Sequence, residues 1–217
     1  MPQMARQCKN FGELKIYWAE NYNVKVAEEI AKLDFKSVQE AMIGVETVLK
    51  EFPPAMRFLK EFSTYNQGLM TCARGLGIIN FNPKYFSDRR RLLSTLDAGV
   101  RSGYYHKNMN PFSAGGHEAG HIVEDWLIDK LGGTAGDLLT RKFPQKIIEE
   151  TYLRLLKTFK TPNEVRTLIQ LKLEIAKYSL KNPSECLALV ISDCVANQEK
   201  ATILSRAIWE RIKEELN

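Results

Sequence analysis

The sequence predicts an α+β fold, mostly helical with a small antiparallel sheet, and three observations carry that expectation. Apolar residues recur at helical spacing along most of the chain. One stretch, from about Thr64 to Pro83, breaks the pattern, with Gly68, Gly75 and Gly77 set around the β-favouring run of residues 77–81. The 217 residues, 44% hydrophobic and 26% charged, suffice for one good core.

In chain order, residues 11–22 are expected to form a first helix and residues 24–33 a second. Asp34 is placed to cap a longer helix reaching Phe52, since its short carboxylate can accept from amides of the first turn. Val38, Met42, Val45, Val48 and Leu49 line one face of that helix. Pro53-Pro54 stops it and opens a short helix through Phe62. Two short antiparallel strands follow between Thr64 and Pro83. Ser87 reads as the N-cap of a helix over residues 88–100, with Arg89, Arg90 and Arg91 facing solvent and Ser102-Gly103 closing it. Asn110-Pro111 sets a cap before a proline at the first helical position. That helix runs to about Leu131, where Gly132-Gly133 ends it. From Asp137 three or four further helices are expected, one ending near Leu180 and the next opening at Asn182-Pro183. The chain divides into a helical segment, residues 1–62, and a motif-bearing part, residues 63–217, that together make one compact unit.

Composition narrows the function. No apolar run approaches the roughly 20 residues that cross a bilayer, and residues 1–11 lack the hydrophobic stretch of a signal peptide. The four cysteines, Cys8, Cys72, Cys186 and Cys194, are far apart and form no CxxC pair, so a reducing compartment is expected. The net charge of +5 is spread along the chain apart from the three arginines, which does not favour a nucleic-acid partner.

The chemistry is concentrated in His117-Glu118-Ala119-Gly120-His121, an H-E-x-x-H motif inside a predicted helix. Residues four apart on a helix project from one face, so the two imidazoles can hold one ion, and neutral imidazole suits Zn²⁺. Glu118 stands on the neighbouring flank, where it can take a proton from a water and pass it to a leaving amine. Chance placement of this motif in a chain of such length has odds of roughly one in several hundred. Gly120, between the two ligands, points to close passage of another backbone or of substrate, and Gly115 and Gly116 fit the same idea.

Tetrahedral zinc needs a third protein ligand and an open position. Glu124 shares the helix of both histidines and cannot complete the set from one face, which leaves it a supporting or surface role. Glu124 and Leu127 occupy the positions where the H-E-x-x-H-x-x-G-x-x-H pattern has its glycine and third histidine. His106, upstream in a polar loop, is a candidate either as a ligand or as a substrate contact alone. Later glutamates, Glu149, Glu150, Glu174 and Glu185, are candidate ligands. Glu185 opens an apolar helix and should point inward, yet Asn182-Pro183-Ser184-Glu185 is equally a capping box in which that carboxylate serves the Asn182 amide.

Residues 77–86, the Ser102-Gly103-Tyr104-Tyr105-His106 run, the H-E-x-x-H motif and the segment from Tyr178 to Glu185 resemble the zincin-type domain of phage minor head (capsid morphogenesis) proteins. More distantly they resemble the catalytic domain of anthrax lethal factor. The similarity spans residues 73–195, with H-E-x-x-H its specific part. It implies a gluzincin-like metallopeptidase with zinc ligands His117, His121 and Glu185, Glu118 as general base and Tyr178 steadying the oxyanion. It also implies that the strand carrying Gly77 and Ile79 is an edge strand bordering the cleft. Substrates would be proteins or peptides, capsid proteins among them, in the host cytoplasm or the virion. The family's second acidic residue after the ligand glutamate is absent, and Asp193 or Glu124 is expected to substitute. A second class of function fits the same resemblance: a non-catalytic head or assembly protein with a structural or vestigial zinc site. A toxin-like effector is a third, without a delivery domain in the sequence to support it.

Overall fold

A computed structural model of the chain describes residues 5–133 and 142–217. A short 3-10 turn, Ala5–Gln7, precedes α1 (Phe11–Tyr22), which Asn10 caps by accepting from the Glu13 amide. Residues 24–33, expected to be helical, hold instead the two-residue strand β1 (Lys25–Val26) and a 3-10 helix, Glu28–Lys32. Helix α2 (Phe35–Glu51) starts where Asp34 accepts from the Ser37 amide at 2.8 Å, and all five residues of its expected apolar face are fully buried.

Pro53-Pro54 opens a 3-10 helix that ends at Phe58, so the short helix expected through Phe62 stops early. The chain then enters β2 (Glu61–Thr64), β3 (Met70–Ala73) and β4 (Ile78–Phe81). The sheet has four strands in the order β1-β2-β4-β3 and is mixed: β1 with β2 and β2 with β4 are parallel, and only β3 with β4 is antiparallel. The antiparallel sheet read from the sequence covers just that hairpin. β2 crosses the junction at residues 62–63 and joins strands from both sides of it into one sheet.

Helix α3 (Pro83–Phe86) leads to α4 (Arg89–Arg101), capped by Asp88 rather than Ser87, through bonds from the Arg90 and Arg91 amides. Of the three arginines, Arg89 turns inward to pair with Glu40 at 2.9 Å. Helix α5 (Pro111–Lys130) begins in a reciprocal cap between Asn110 and Ser113. Residues 134–141 lie outside the described part, and with them the expected start at Asp137. Beyond come α6 (Lys142–Leu156), a 3-10 turn (Pro162–Glu164), α7 (Leu168–Ile175), a 3-10 helix (Lys177–Leu180), α8 (Pro183–Asn197) and α9 (Ile203–Lys213).

Helix α5 is buried along nearly its whole length, between α2 on one side and α8 on the other. Glycine makes that closeness possible. A Cβ on Gly115 would fall 1.9 Å from the Ala41 carbonyl oxygen of α2, and one on Gly120 2.7 Å from the Ala188 Cα of α8. The sheet attaches through aromatic rings, with Phe62 4.8 Å from Trp18 and Phe81 5.0 Å from Phe86, centroid to centroid. All four cysteines are free thiols. Among the described residues no helix is long and apolar enough to cross a membrane.

Candidate metal centre

Five titratable residues of α5, namely His117, Glu118, His121, Glu124 and Asp125, are buried. Such burial is costly unless each finds a partner. His117 and His121 stand one turn apart with ring centroids 5.1 Å from each other. Both face Glu185, in the first turn of α8: His117 Nε2 lies 3.1 Å and His121 Nε2 3.6 Å from the same Oε2. Donors held about 2 Å from a tetrahedral ion sit roughly 3.3 Å apart, a value these two distances bracket. One ligand atom from each of the three residues lies within 4.8 Å of the other two. The set of two histidines and one glutamate is a donor set that zinc takes in catalytic sites.

The Asn182 side chain caps α8 by accepting from the Glu185 backbone amide at 3.0 Å, while the Glu185 carboxylate goes to the histidines and not back to Asn182. The capping and ligand readings of this segment therefore fall to different atoms of the same residue. Burial opposes ionisation of Glu185, but hydrogen bonds from His117 and His121 outweigh it and hold its carboxyl far below the usual range. Burial likewise opposes a charge on His121, yet the Glu124 and Glu185 carboxylates beside it push its pKa up to about 10. The surroundings therefore favour positive charge at the point where the three side chains meet.

A second layer orients His121. Its Nδ1 lies 3.3 Å from Ser184 Oγ and 3.8 Å from Glu124 Oε2, and Ser184 donates to Glu124 at 2.5 Å. Arg74 ties this layer together. It pairs with Glu124 at 2.9 Å and with Asp125 at 3.1 Å, and its Nη1 donates to Ser184 at 3.0 Å. These contacts occupy the Nδ1 side of the ring and leave Nε2 toward Glu185, the arrangement that fixes a metal-binding imidazole. Glu124 thus takes the supporting place left open in the sequence. Asp193 does not: it accepts from Asn197 at 2.7 Å and from the Thr202 amide at 3.0 Å, holding the far end of α8.

Glu118 is buried beside the histidines and faces the Cys72 backbone of β3. Burial pushes its carboxyl above the usual range, with His117 and His121 opposing. That direction suits a group that must accept and return a proton. Tyr178 packs against Tyr104 with the rings tilted by 43° and 4.8 Å between centroids, and lies 6.1 Å from the His117 ring. Burial and the Glu185 carboxylate push its phenol upward, so the hydroxyl keeps its proton. These groups line a cavity of about 850 Å³ bounded by β3, α5 and the turn entering α8.

Three residues expected at the substrate cleft lie elsewhere. Ile79 is fully buried in β4, which is flanked by β2 and β3; the edge strand on the cavity side is β3. Gly77 sits at φ +69° in the turn before β4, and its carbonyl accepts from the Lys60 amide at 2.8 Å. A Cβ there would meet the Phe58 carbonyl oxygen at 1.9 Å, a backbone reason for glycine that has nothing to do with substrate. His106 is buried between Ser192 Oγ, 2.8 Å from Nε2, and the Lys107 carbonyl, 2.6 Å from Nδ1, and does not line the cavity. Of the other glutamates, Glu150 pairs with Lys146 and Arg211, Glu174 with Arg166, and Glu149 with Gln145.

Sequence reasoning missed Arg74, Ser184, Tyr104 and Lys181, all on the cavity wall. Ser184 stands beside Glu185, Lys181 lies three and four residues from Tyr178 and Glu185, and Tyr104 falls in a run that carries the resemblance; Arg74 alone is brought in by packing. In comparisons with known proteins, no family model, no curated protein and no solved structure matches this chain.

Proposed function

We propose that the chain is a zinc-dependent metallopeptidase of the zincin kind, with His117, His121 and Glu185 holding the ion and Glu118 moving the proton. The observation that carries this reading is the convergence of both Nε2 atoms on one Glu185 oxygen, at 3.1 and 3.6 Å, in a cavity that Glu118 also lines. Zinc bound by these side chains supplies a Lewis acid that polarises the scissile carbonyl and acidifies the attacking water.

Glu118 takes the proton of that water at its carboxylate and delivers it to the departing amine. Tyr178 offers its phenolic hydrogen to the oxygen that becomes negative as the carbonyl is attacked. The outer edge of β3 offers backbone groups to an extended peptide. The resemblance to capsid-morphogenesis domains supports protein substrates, with capsid proteins the first class to try.

The test has two steps. Metal content is measured on protein purified without chelator, wild type against Glu185→Ala; about one zinc per chain in the wild type and a sharp loss in the variant are expected. Peptide-library cleavage then compares wild type with Glu118→Gln, which should retain zinc and lose turnover by roughly 10²-fold or more. Cleavage unchanged in Glu118→Gln overturns the mechanism. Zinc without turnover in the wild type replaces the enzyme by the assembly-protein reading.

A further inference from the structure

We propose that Lys181 is a positioning residue of this centre, aiming the Tyr178 hydroxyl proton into the cavity and restricting Glu185 to one ligating oxygen. The chemistry of this inference rests on the metallopeptidase reading above. Lys181 Nζ lies 2.7 Å from Tyr178 Oη and 3.1 Å from Glu185 Oε1. An ammonium only donates, so both oxygens accept from it. With a lone pair of Oη engaged by Lys181, the phenolic hydrogen must point away from the ammonium. Glu185 is divided in the same way, with Oε2 on the two imidazoles and Oε1 on the lysine. A carboxylate whose second oxygen is held by a cation enters a metal's coordination sphere through the first alone, which keeps the remaining position open for water.

The three side chains come from one continuous segment whose backbone is fixed independently. Tyr178 N–H donates to the Tyr104 carbonyl at 3.2 Å and Lys177 N–H to that of Gly103 at 2.8 Å. Lys181 N–H closes the turn onto the Tyr178 carbonyl at 3.0 Å. Spacings of three and four residues then bring Tyr178 and Glu185 to the same lysine. The Lys181 side chain stays 53% exposed, so its charge remains hydrated and the contact acts through geometry rather than through a large ion-pair energy.

The test compares Lys181→Met, Lys181→Arg, Tyr178→Phe and the Lys181→Met/Tyr178→Phe pair, each loaded with Co²⁺, whose visible bands report coordination number without any turnover. In Lys181→Met the freed Oε1 joins the ion, and the bands weaken as coordination rises above four; Lys181→Arg keeps the wild-type spectrum. In peptide cleavage, kcat of Lys181→Met falls roughly tenfold with KM within about twofold, as expected for misplacing a group that acts in the transition state. Adding Lys181→Met to Tyr178→Phe slows cleavage less than adding it to wild type, because the part of its effect that runs through the tyrosine is already lost. A Lys181→Met protein with the wild-type cobalt spectrum overturns the inference about Glu185, and multiplicative losses in the double variant overturn that about Tyr178. If the wild type binds cobalt but cleaves nothing, the peptidase reading fails while the spectra still decide the role of Lys181 at Glu185. If it binds no cobalt, both fall.

Discussion

Adding a single methyl group at Gly120 should damage the fold and, on the zinc-binding reading proposed above, the candidate metal site together. A Cβ there would lie 2.7 Å from Ala188 Cα, 3.2 Å from its Cβ and 3.3 Å from its carbonyl oxygen. Carbon atoms pack best about 3.5–4.0 Å apart, so α5 and α8 must separate by roughly 1 Å. Two effects compete. Alanine gains about 0.8–1.0 kcal/mol over glycine inside a helix, whereas overpacking a filled core costs about 1–3 kcal/mol. The nearest atom is backbone, which cannot rotate aside, so the upper part of that range applies and a net loss of about 1–2 kcal/mol is expected. For a chain of this size that lowers Tm by roughly 2–8 °C. Glu185 lies on the same helix as Ala188, one turn earlier, so its carboxylate retreats from the histidines by a comparable distance. Metal–ligand distances tolerate only about 0.2 Å, and zinc affinity should fall by at least about tenfold. Thermal melts with and without zinc, and competition against a chromophoric chelator, measure both effects. Ala188→Gly should not rescue Gly120→Ala, since the Cα remains in the way. A Gly120→Ala protein that melts at or above wild type with unchanged zinc affinity refutes the reasoning.

Other perturbations have equally definite outcomes. Arg74→Met strands Glu124, 1% exposed, without its cation; a loss of about 3 kcal/mol in chemical unfolding is expected, with partial recovery when Glu124→Gln is added. His106→Ala removes the bond to Ser192 and should cost about 1–3 kcal/mol while leaving zinc stoichiometry unchanged; a raised KM at wild-type stability would restore a substrate role to His106. Glu46 is buried, which opposes its ionisation, but hydrogen bonds from Lys50, Tyr17 and Tyr22 outweigh burial and hold its carboxyl below the usual range. A depressed native pKa means that this stabilisation is fully present above the unfolded value of about 4.3 and is lost as pH falls through the native value. Urea midpoints followed from pH 7 down to 3 should therefore decline less steeply in Glu46→Gln than in wild type, and parallel declines would exclude this role.

Local chemistry made α2 and α5 legible, because Asp34 and Asn110 cap them with side chains that the next residues are spaced to receive. The H-E-x-x-H pair was equally legible, since its geometry depends only on the helix that carries it. The sheet was not. β1 has two residues, too few to show alternation, and β2 follows a proline-led helical turn whose apolar spacing runs on into it. Parallel pairing joins Lys25 to Glu61 and Glu61 to Ile78, and nothing local marks partners so far apart. The resemblance implied a cleft edge at the strand of Gly77 and Ile79, but β2 pairs with that strand on its outer side and β3 borders the cavity instead. Arg74 stayed hidden for a related reason: its partners Glu124, Asp125 and Ser184 come from two other elements.

The contact of Gly115 with Ala41 and of Gly120 with Ala188 joins parts of the chain that are distant in sequence. Such contacts require long loops to close, which costs entropy before the contacts repay it. The three-residue cluster is therefore complete only when α8 has docked on α5, and a chain lacking that seam presents two histidines on an open helix without their carboxylate. On the zinc-binding reading proposed above, metal capture would report completed folding, and the free energy of binding would add to the stability of the finished chain alone. A ribosome-bound chain would stay blind to the ion until α8 had emerged.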